Sequence, residues 1–205
     1  MSTKAATQSR LNRHARAQEA LREEARRRRI RSIFWAVALL VIASAVAAML
    51  LTARPESSSA VRAAPDFTLT NTDGDQVTLS SLRGQNVLLY FSEGAGCQSC
   101  LVQMDEVEKR ADDFEALDIT VLPIVMNTKQ QILADMASNG VTTPFLLDDG
   151  SVSEDYGTLG KGMHAGLPGH SFVLIDKEGQ QVWYGEYPSM WLAPDQLLAE
   201  VEQRL

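Results

Sequence analysis

Val87-Leu88-Leu89-Tyr90-Phe91, followed by Gly96-Cys97-Gln98-Ser99-Cys100 and then by Leu101, Met104, Val107, Ala111 and Phe114, is the stretch that decides the fold of this 205-residue chain. Asn86 to Phe91 is a near-continuous apolar run, the pattern of a strand buried on both faces. The apolar positions after Cys97 follow helical spacing. A strand, a short loop and a Cys-x-x-Cys at the start of a helix describe a redox dithiol. The first amides of a helix are unpaired and its dipole is positive there, so a thiol at that end is stabilised as thiolate. The second thiol, three residues on, shares its face and can close a disulfide. Cys100 falls on the apolar stripe and Cys97 leads it, so Cys100 is expected to be the more buried thiol and Cys97 the solvent-facing one. These are the only two cysteines in the chain.

Working outward, Phe67–Thr70 and Gln76–Leu79 flank the turn Asn71-Thr-Asp-Gly-Asp75 and read as a hairpin. Ile119–Val125 reads as a second interior strand, with Pro123 the one residue that argues against its middle. A helix is expected over Thr128–Ser138, ended by Asn139-Gly140, and a short extended piece at Phe145–Leu147. Ser151–Tyr156 suggests a short helix. Ser171–Asp176 and Gln181–Tyr184 form a second hairpin about Lys177-Glu-Gly179, and Pro194–Leu205 a closing amphipathic helix with proline in its first turn. This order predicts an α/β domain over 64–205 with a parallel centre and an antiparallel edge.

The rest of the chain differs in charge. Residues 1–32 carry ten Lys/Arg against three Glu, a net of +7, whereas the remainder carries nine basic and twenty-three acidic residues. Ile33–Thr52 is a charge-free run of twenty residues bracketed by Arg31 and Arg54, the length of an apolar helix across a bilayer. The basic excess before it predicts a cytoplasmic N-terminus and an extracytoplasmic acidic domain. A cleaved signal peptide is the competing reading; the apolar run is longer than such a region needs and no small-x-small site follows it closely. The run Arg26–Arg29 is read as a topogenic segment attracted to anionic lipid, and nucleic acid is not expected as a partner. Arg54–Ala63, rich in Ser with one proline, reads as part of a linker over 53–63.

Ala64-Pro-Asp-Phe67, Leu82-Arg-Gly84, Asn86–Phe91, the Cys-x-x-Cys, Thr143–Leu147 followed by Asp155-Tyr-Gly157, and Phe172–Gly179 occur here in an order that resembles the redoxin/AhpC-TSA branch of the thioredoxin-like superfamily. The resemblance implies a thioredoxin-like fold: a central mixed sheet flanked by helices, with an N-terminal β-hairpin. The chain is also similar to membrane-anchored TlpA/ResA-like thiol-disulfide oxidoreductases, which share the span and the outward-facing redoxin domain. Several residues depart from both patterns. Ala95-Gly96 precede Cys97 where TlpA-like proteins have Trp. The peroxiredoxin pattern Pro-x-x-x-Thr-x-x-Cys is met by Tyr90 and Gly94 in place of Pro and Thr, and its Arg before the late strand by Pro168-Gly169-His170-Ser171.

The expected chemistry is thiol–disulfide exchange, with Cys97 attacking and Cys100 resolving. A purely structural disulfide is the bland alternative, but closing so short a loop constrains the unfolded chain little. The partners implied are protein or small-molecule disulfides and thiols, an electron donor, and the bilayer through residues 33–52. No cofactor or resident metal is expected. The resemblance makes Pro168 the candidate for a cis-proline facing the dithiol. His170, expected to be partly exposed at its strand start, and Glu93, in the loop before Cys97, join it as substrate-groove candidates. Two alternatives stay open: a thiol peroxidase of the AhpC/TSA type, with Cys97 passing through a sulfenic acid, and a Sco-like copper-binding chaperone drawing on His164, His170 and Met163.

Overall fold

The computed structural model describes residues 2–52 and 54–205, with α1 side chains described for Arg22 and for 26–51. The chain divides into two compact units, Met1–Thr52 and Ala53–Leu205. The first is one helix, α1 (Ser2–Thr52), that runs without a break through the basic segment and the apolar run. Its stretch Arg26–Leu51 is long and apolar enough to cross a membrane, an 18-residue window within it having mean hydropathy 2.6; at about 1.5 Å per residue the stretch exceeds the roughly 30 Å of a hydrocarbon core. Phe34, Trp35, Leu39, Leu40 and Met49 all lie exposed. A helix in water covers such residues, because their burial is worth about 1.5–3 kcal/mol each.

The second unit is a nine-stranded mixed sheet with helices on both faces. Its elements are β1 (Glu56–Ser58), β2 (Arg62–Ala63), β3 (Thr68–Asn71), β4 (Gln76–Thr78), β5 (Asn86–Phe91), α2 (Gln98–Glu108), α3 (Ala111–Ala116), β6 (Ile119–Val125), α4 (Lys129–Asn139), β7 (Leu146–Leu147), α5 (Ser151–Asp155), β8 (Ser171–Ile175), β9 (Gln180–Glu186) and α6 (Pro194–Glu202). The order across the sheet is β1-β9-β8-β5-β6-β7-β3-β4, with β2 also on β9. β5 sits at the centre, parallel to β6 and antiparallel to β8. This is the mixed thioredoxin-like architecture, and the β3–β4 hairpin is formed.

The pleat of β5 sorts the core. Leu88 and Tyr90 face the layer that holds Cys97, Cys100, Leu101, Met104 and the α6 residues Leu197, Leu198 and Val201. Val87, Leu89 and Phe91 face the opposite layer with Phe67, Val152 and Tyr156. All six residues of β5 are buried.

Three elements differ from the sequence reading. The single apolar stripe from Leu101 to Phe114 belongs to two helices, because Arg110 leaves helical geometry at φ −111° and ψ 19°. Pro123 lies within β6 without breaking it. Ile124 turns its carbonyl toward the β5 side, where Ser92 N–H donates to it, while Val125 accepts from Asp148 N–H on the other side. Pro123 shares the orientation of Val125, so its missing N–H falls on the side where β7 pairing begins only at Ile124 and Leu146. The third difference is the segment read as a linker. Glu56–Ser58 and Arg62–Ala63 pair antiparallel with β9, and Trp183 Nε1–H donates to Ser57 Oγ at 2.9 Å. An uncovered β9 edge would leave a row of unpaired amides and carbonyls, which this polar, extended stretch satisfies.

Candidate redox site

The site is built where β5 ends and α2 begins. The connecting loop turns on two glycines in left-handed geometry, Gly94 at φ +67° and Gly96 at φ +90°. At Gly94 space also decides: a Cβ there would lie 2.1 Å from Asn127 Oδ1 and 2.6 Å from Val125 Cγ1. Every amide of the loop's last part is used. Ala95 N–H donates to Asn127 Oδ1 at 2.8 Å, Gly96 N–H to an Asp135 carboxylate oxygen at 2.8 Å, and Cys97 N–H to the Gly94 carbonyl at 3.0 Å. Cys97 thereby becomes the N-cap residue of α2, and Cys100 sits in the first turn.

The two cysteines form a closed disulfide with Cα atoms 5.3 Å apart. Cys100 is 1% exposed and Cys97 5%. The order of burial follows the sequence reading, but Cys97 is far less open than a solvent-facing thiol, because it packs in the same apolar cluster as Cys100 and Leu101. Ser99 Oγ lies 3.5 Å from Cys97 Sγ.

Beneath the first turn of α2 runs a buried polar chain. Leu192 N–H donates to Gln103 Oε1 at 2.8 Å, which fixes that oxygen as an acceptor. His170 Nε2, 3.3 Å away, must then carry the ring proton and donate to it. Tyr90 O–H donates to the Cys100 carbonyl at 3.2 Å, and its oxygen also lies 3.2 Å from the unprotonated Nδ1 of the neutral ring, so the one hydroxyl proton is shared between two acceptors. Burial holds His170 far below its ordinary pKa, at about 3, and raises the Tyr90 phenol. Both are uncharged at every physiological pH. Tyr90 also stacks on Phe172 with centroids 4.8 Å apart.

His170 is therefore a fully buried strand-start residue, 1% exposed, and not the partly exposed histidine expected. β8 lies between β5 and β9 in the sheet interior, and its side chain turns under α2. Pro168 is buried and bridged to Leu159, and it is not a cis-proline: the described residues contain no cis peptide bond. Its carbonyl packs instead against Gly162, where an added Cβ would come within 2.9 Å. Glu93 is 1% exposed and turned inward, accepting from His164 N–H at 3.0 Å and from the His164 ring Nδ1 at 2.6 Å. Glu93, Gly162, His164 and Pro168 thus form one cluster, and His170 belongs to another with Tyr90, Gln103 and Cys100.

The copper reading needs His164, His170 and Met163 beside the thiols. His164 is committed to Glu93, His170 to Tyr90 and Gln103, and among the described residues no group of three His, Cys, Asp or Glu converges as metal ligands. Gln103, which the sequence reading passed over, was signalled by its place: a polar residue three after Cys100, on the buried face of α2.

A thioredoxin-like sheet with a dithiol at the N-terminus of the helix after its central strand defines a thiol-based redox protein. Residues 61–183 match the AhpC/TSA family, and the chain belongs to that family. Alkyl hydroperoxide reductase E of Mycobacterium tuberculosis is 32% identical over 120 residues, covering 57% of this chain and 77% of the relative. Peroxiredoxin Bcp of Escherichia coli is 32% identical over 124 residues, covering 57% and 78%. Among solved structures, one from Bacteroides thetaiotaomicron, provisionally described as a protein disulfide isomerase, superposes with a TM-score of 0.55 at 32% identity, covering 70% of this chain and 88% of its own.

Proposed function

We propose that the chain is a thiol–disulfide oxidoreductase held at a membrane by α1, with Cys97 as nucleophile and Cys100 as resolving thiol. Reduced Cys97 attacks a client disulfide, forming a mixed disulfide and releasing one client thiolate, which takes up a proton. Cys100 thiolate then attacks Cys97 Sγ and releases the second client thiol, so two electrons pass to the client and the Cys97–Cys100 bond closes. The observation that carries this reading is the geometry of the pair. Both thiols sit within one helical turn, at the 5.3 Å Cα separation of a closed disulfide, with the less buried sulfur first.

The comparisons favour a second reading more than this one: the curated relatives are named as peroxiredoxins and alkyl hydroperoxide reductases. In that reaction Cys97 thiolate would attack a peroxide O–O bond, becoming a sulfenic acid and releasing an alcohol or water. Cys100 would then displace water to close the disulfide. Residues at the site speak for exchange. Gly94 stands where the peroxiredoxin pattern has Thr, and the neutral buried His170 and Gly169 stand where it has a cationic Arg. Full-length protein in mild detergent, reduced and mixed with hydrogen peroxide in a stopped-flow instrument, separates the two. Slow Cys97 oxidation together with fast reduction of a protein disulfide such as insulin's supports exchange; fast oxidation by peroxide replaces it with the peroxidase.

The same reading extends to topology: residues 1–32 cytoplasmic, 33–52 across the bilayer, and the redoxin domain, beginning with the β1 strap, outside. It rests on the basic excess before the span and on the exposed apolar surface of α1. This arrangement is the one TlpA/ResA-like proteins share. Protease added to intact cells should digest the domain and spare the N-terminus.

A further inference from the structure

The direction in which the dithiol works depends on how well the reduced site holds a thiolate at Cys97, because the disulfide carries no charge. Amides aimed at the sulfur favour the thiolate and make a couple oxidising; a nearby carboxylate disfavours it and makes the couple reducing. In this chain the amides of Ala95, Gly96 and Cys97 are turned away to Asn127, Asp135 and Gly94. One of those acceptors is a carboxylate bonded one residue before Cys97. Among the described residues no Lys, Arg or His lies within 4.0 Å of it.

The placement is built rather than incidental. Asp135 lies in the second turn of α4, which begins with a Thr128–Gln131 capping box directly after Asn127. Asn139, one turn further on, donates from its side-chain amide to the Asp135 carbonyl, and Gln98 of the Cys-x-x-Cys itself donates to Asn139 Oδ1. α4 and the Asn127 that leads into it therefore hold the dithiol loop at Ala95 and Gly96 and the start of α2 at Gln98. The first-turn amides of α2 and Ser99 Oγ act in the opposite sense, toward the thiolate.

We infer that Asp135 is a positioning residue that sets the redox poise, its carboxylate on the amide that precedes Cys97 making the Cys97–Cys100 pair an electron donor to client disulfides. The inference rests on the dithiol reading above and adds its direction. In the balance of the couple, the disulfide takes up two electrons and two protons to give the dithiol. Asp135 makes that dithiol harder to hold as thiolate and readier to return both electrons.

The test is the glutathione equilibrium of the full-length protein in mild detergent at pH 8.5, read by alkylation and mass. Asp135→Asn keeps an acceptor for Gly96 N–H and removes the charge. It is expected to shift the equilibrium roughly fivefold toward the dithiol, about 20 mV more oxidising, and to speed iodoacetamide capture of Cys97. Asp135→Glu should restore the wild-type value, which a merely structural role would not require. Asn127→Asp adds a second carboxylate at Ala95 N–H and should shift the equilibrium the other way, an arm that stands even if Asp135→Asn fails to fold. Shifts below twofold in the folded variants, or of opposite sign, overturn the inference. If wild-type protein does not exchange with glutathione through this pair, the dithiol reading itself fails; if it exchanges and the variants do not move it, only the role of Asp135 fails.

Discussion

Replacing His170 with Gln isolates the titration of the redox layer that falls between neutral and acid pH. In the native protein burial holds the ring neutral down to about pH 3, whereas in the unfolded chain it takes up a proton near its ordinary 6.5. Below pH 6.5 the unfolded state therefore binds more protons than the native one, and stability falls as the pH falls, down to about pH 3. With about 1.36 kcal/mol per pKa unit, lowering the pH from 7 to 5 costs about 2 kcal/mol through this one group. Urea unfolding of the full-length chain in mild detergent, oxidised throughout and followed by tryptophan fluorescence, measures it. His170→Gln loses packing and hydrogen bonds at both pH values, so the quantity that matters is the difference of differences. The pH 7-to-5 loss should be about 2 kcal/mol smaller in the variant than in wild type. Groups that the substitution does not touch contribute equally in both proteins and cancel. A double difference below about 0.5 kcal/mol would refute the argument that His170 is a buried neutral donor to Gln103.

Gly94→Ala should cost about 2 kcal/mol or more, read as a lowered urea midpoint, because strained φ and contact with Asn127 and Val125 act together. Gly96→Ala, with open space around its Cβ and only the positive φ against it, should cost about half as much; equal costs would remove the close-approach argument. Cys100→Ser should leave Cys97 locked in mixed disulfides that mass spectrometry identifies, while Cys97→Ser yields none. Glu93→Ala removes both bonds to His164, so hydrogen exchange at the His164 amide should quicken at least tenfold; unchanged protection would show that the loop is held by other contacts.

The elements that sequence reading placed well are those whose signal is local. The six-residue apolar run of β5, the Thr128 cap and Gly140 stop of α4, and the Asn71–Asp75 turn each follow from residues within a few positions of one another. The break between α2 and α3 has no Gly or Pro to announce it, and an uninterrupted apolar stripe concealed it. Arg54–Ala63 has a linker's composition, and only the open edge of β9, more than a hundred residues away, turns it into strand.

At the site the same division holds. The sequence by itself determined the dithiol, the order of burial of its two thiols and the apolar span of α1, because spacing within one helix and hydrophobicity within one run are properties of neighbouring residues. Tertiary structure alone decided what surrounds the dithiol. It sank His170 beneath α2, where desolvation keeps it neutral, and turned Glu93 inward to His164. It also brought Asp135, thirty-eight positions beyond Cys97 in the numbering, to the amide before it. These contacts join segments far apart in the chain, and their chemistry depends on a burial and a distance that exist only once the sheet has closed.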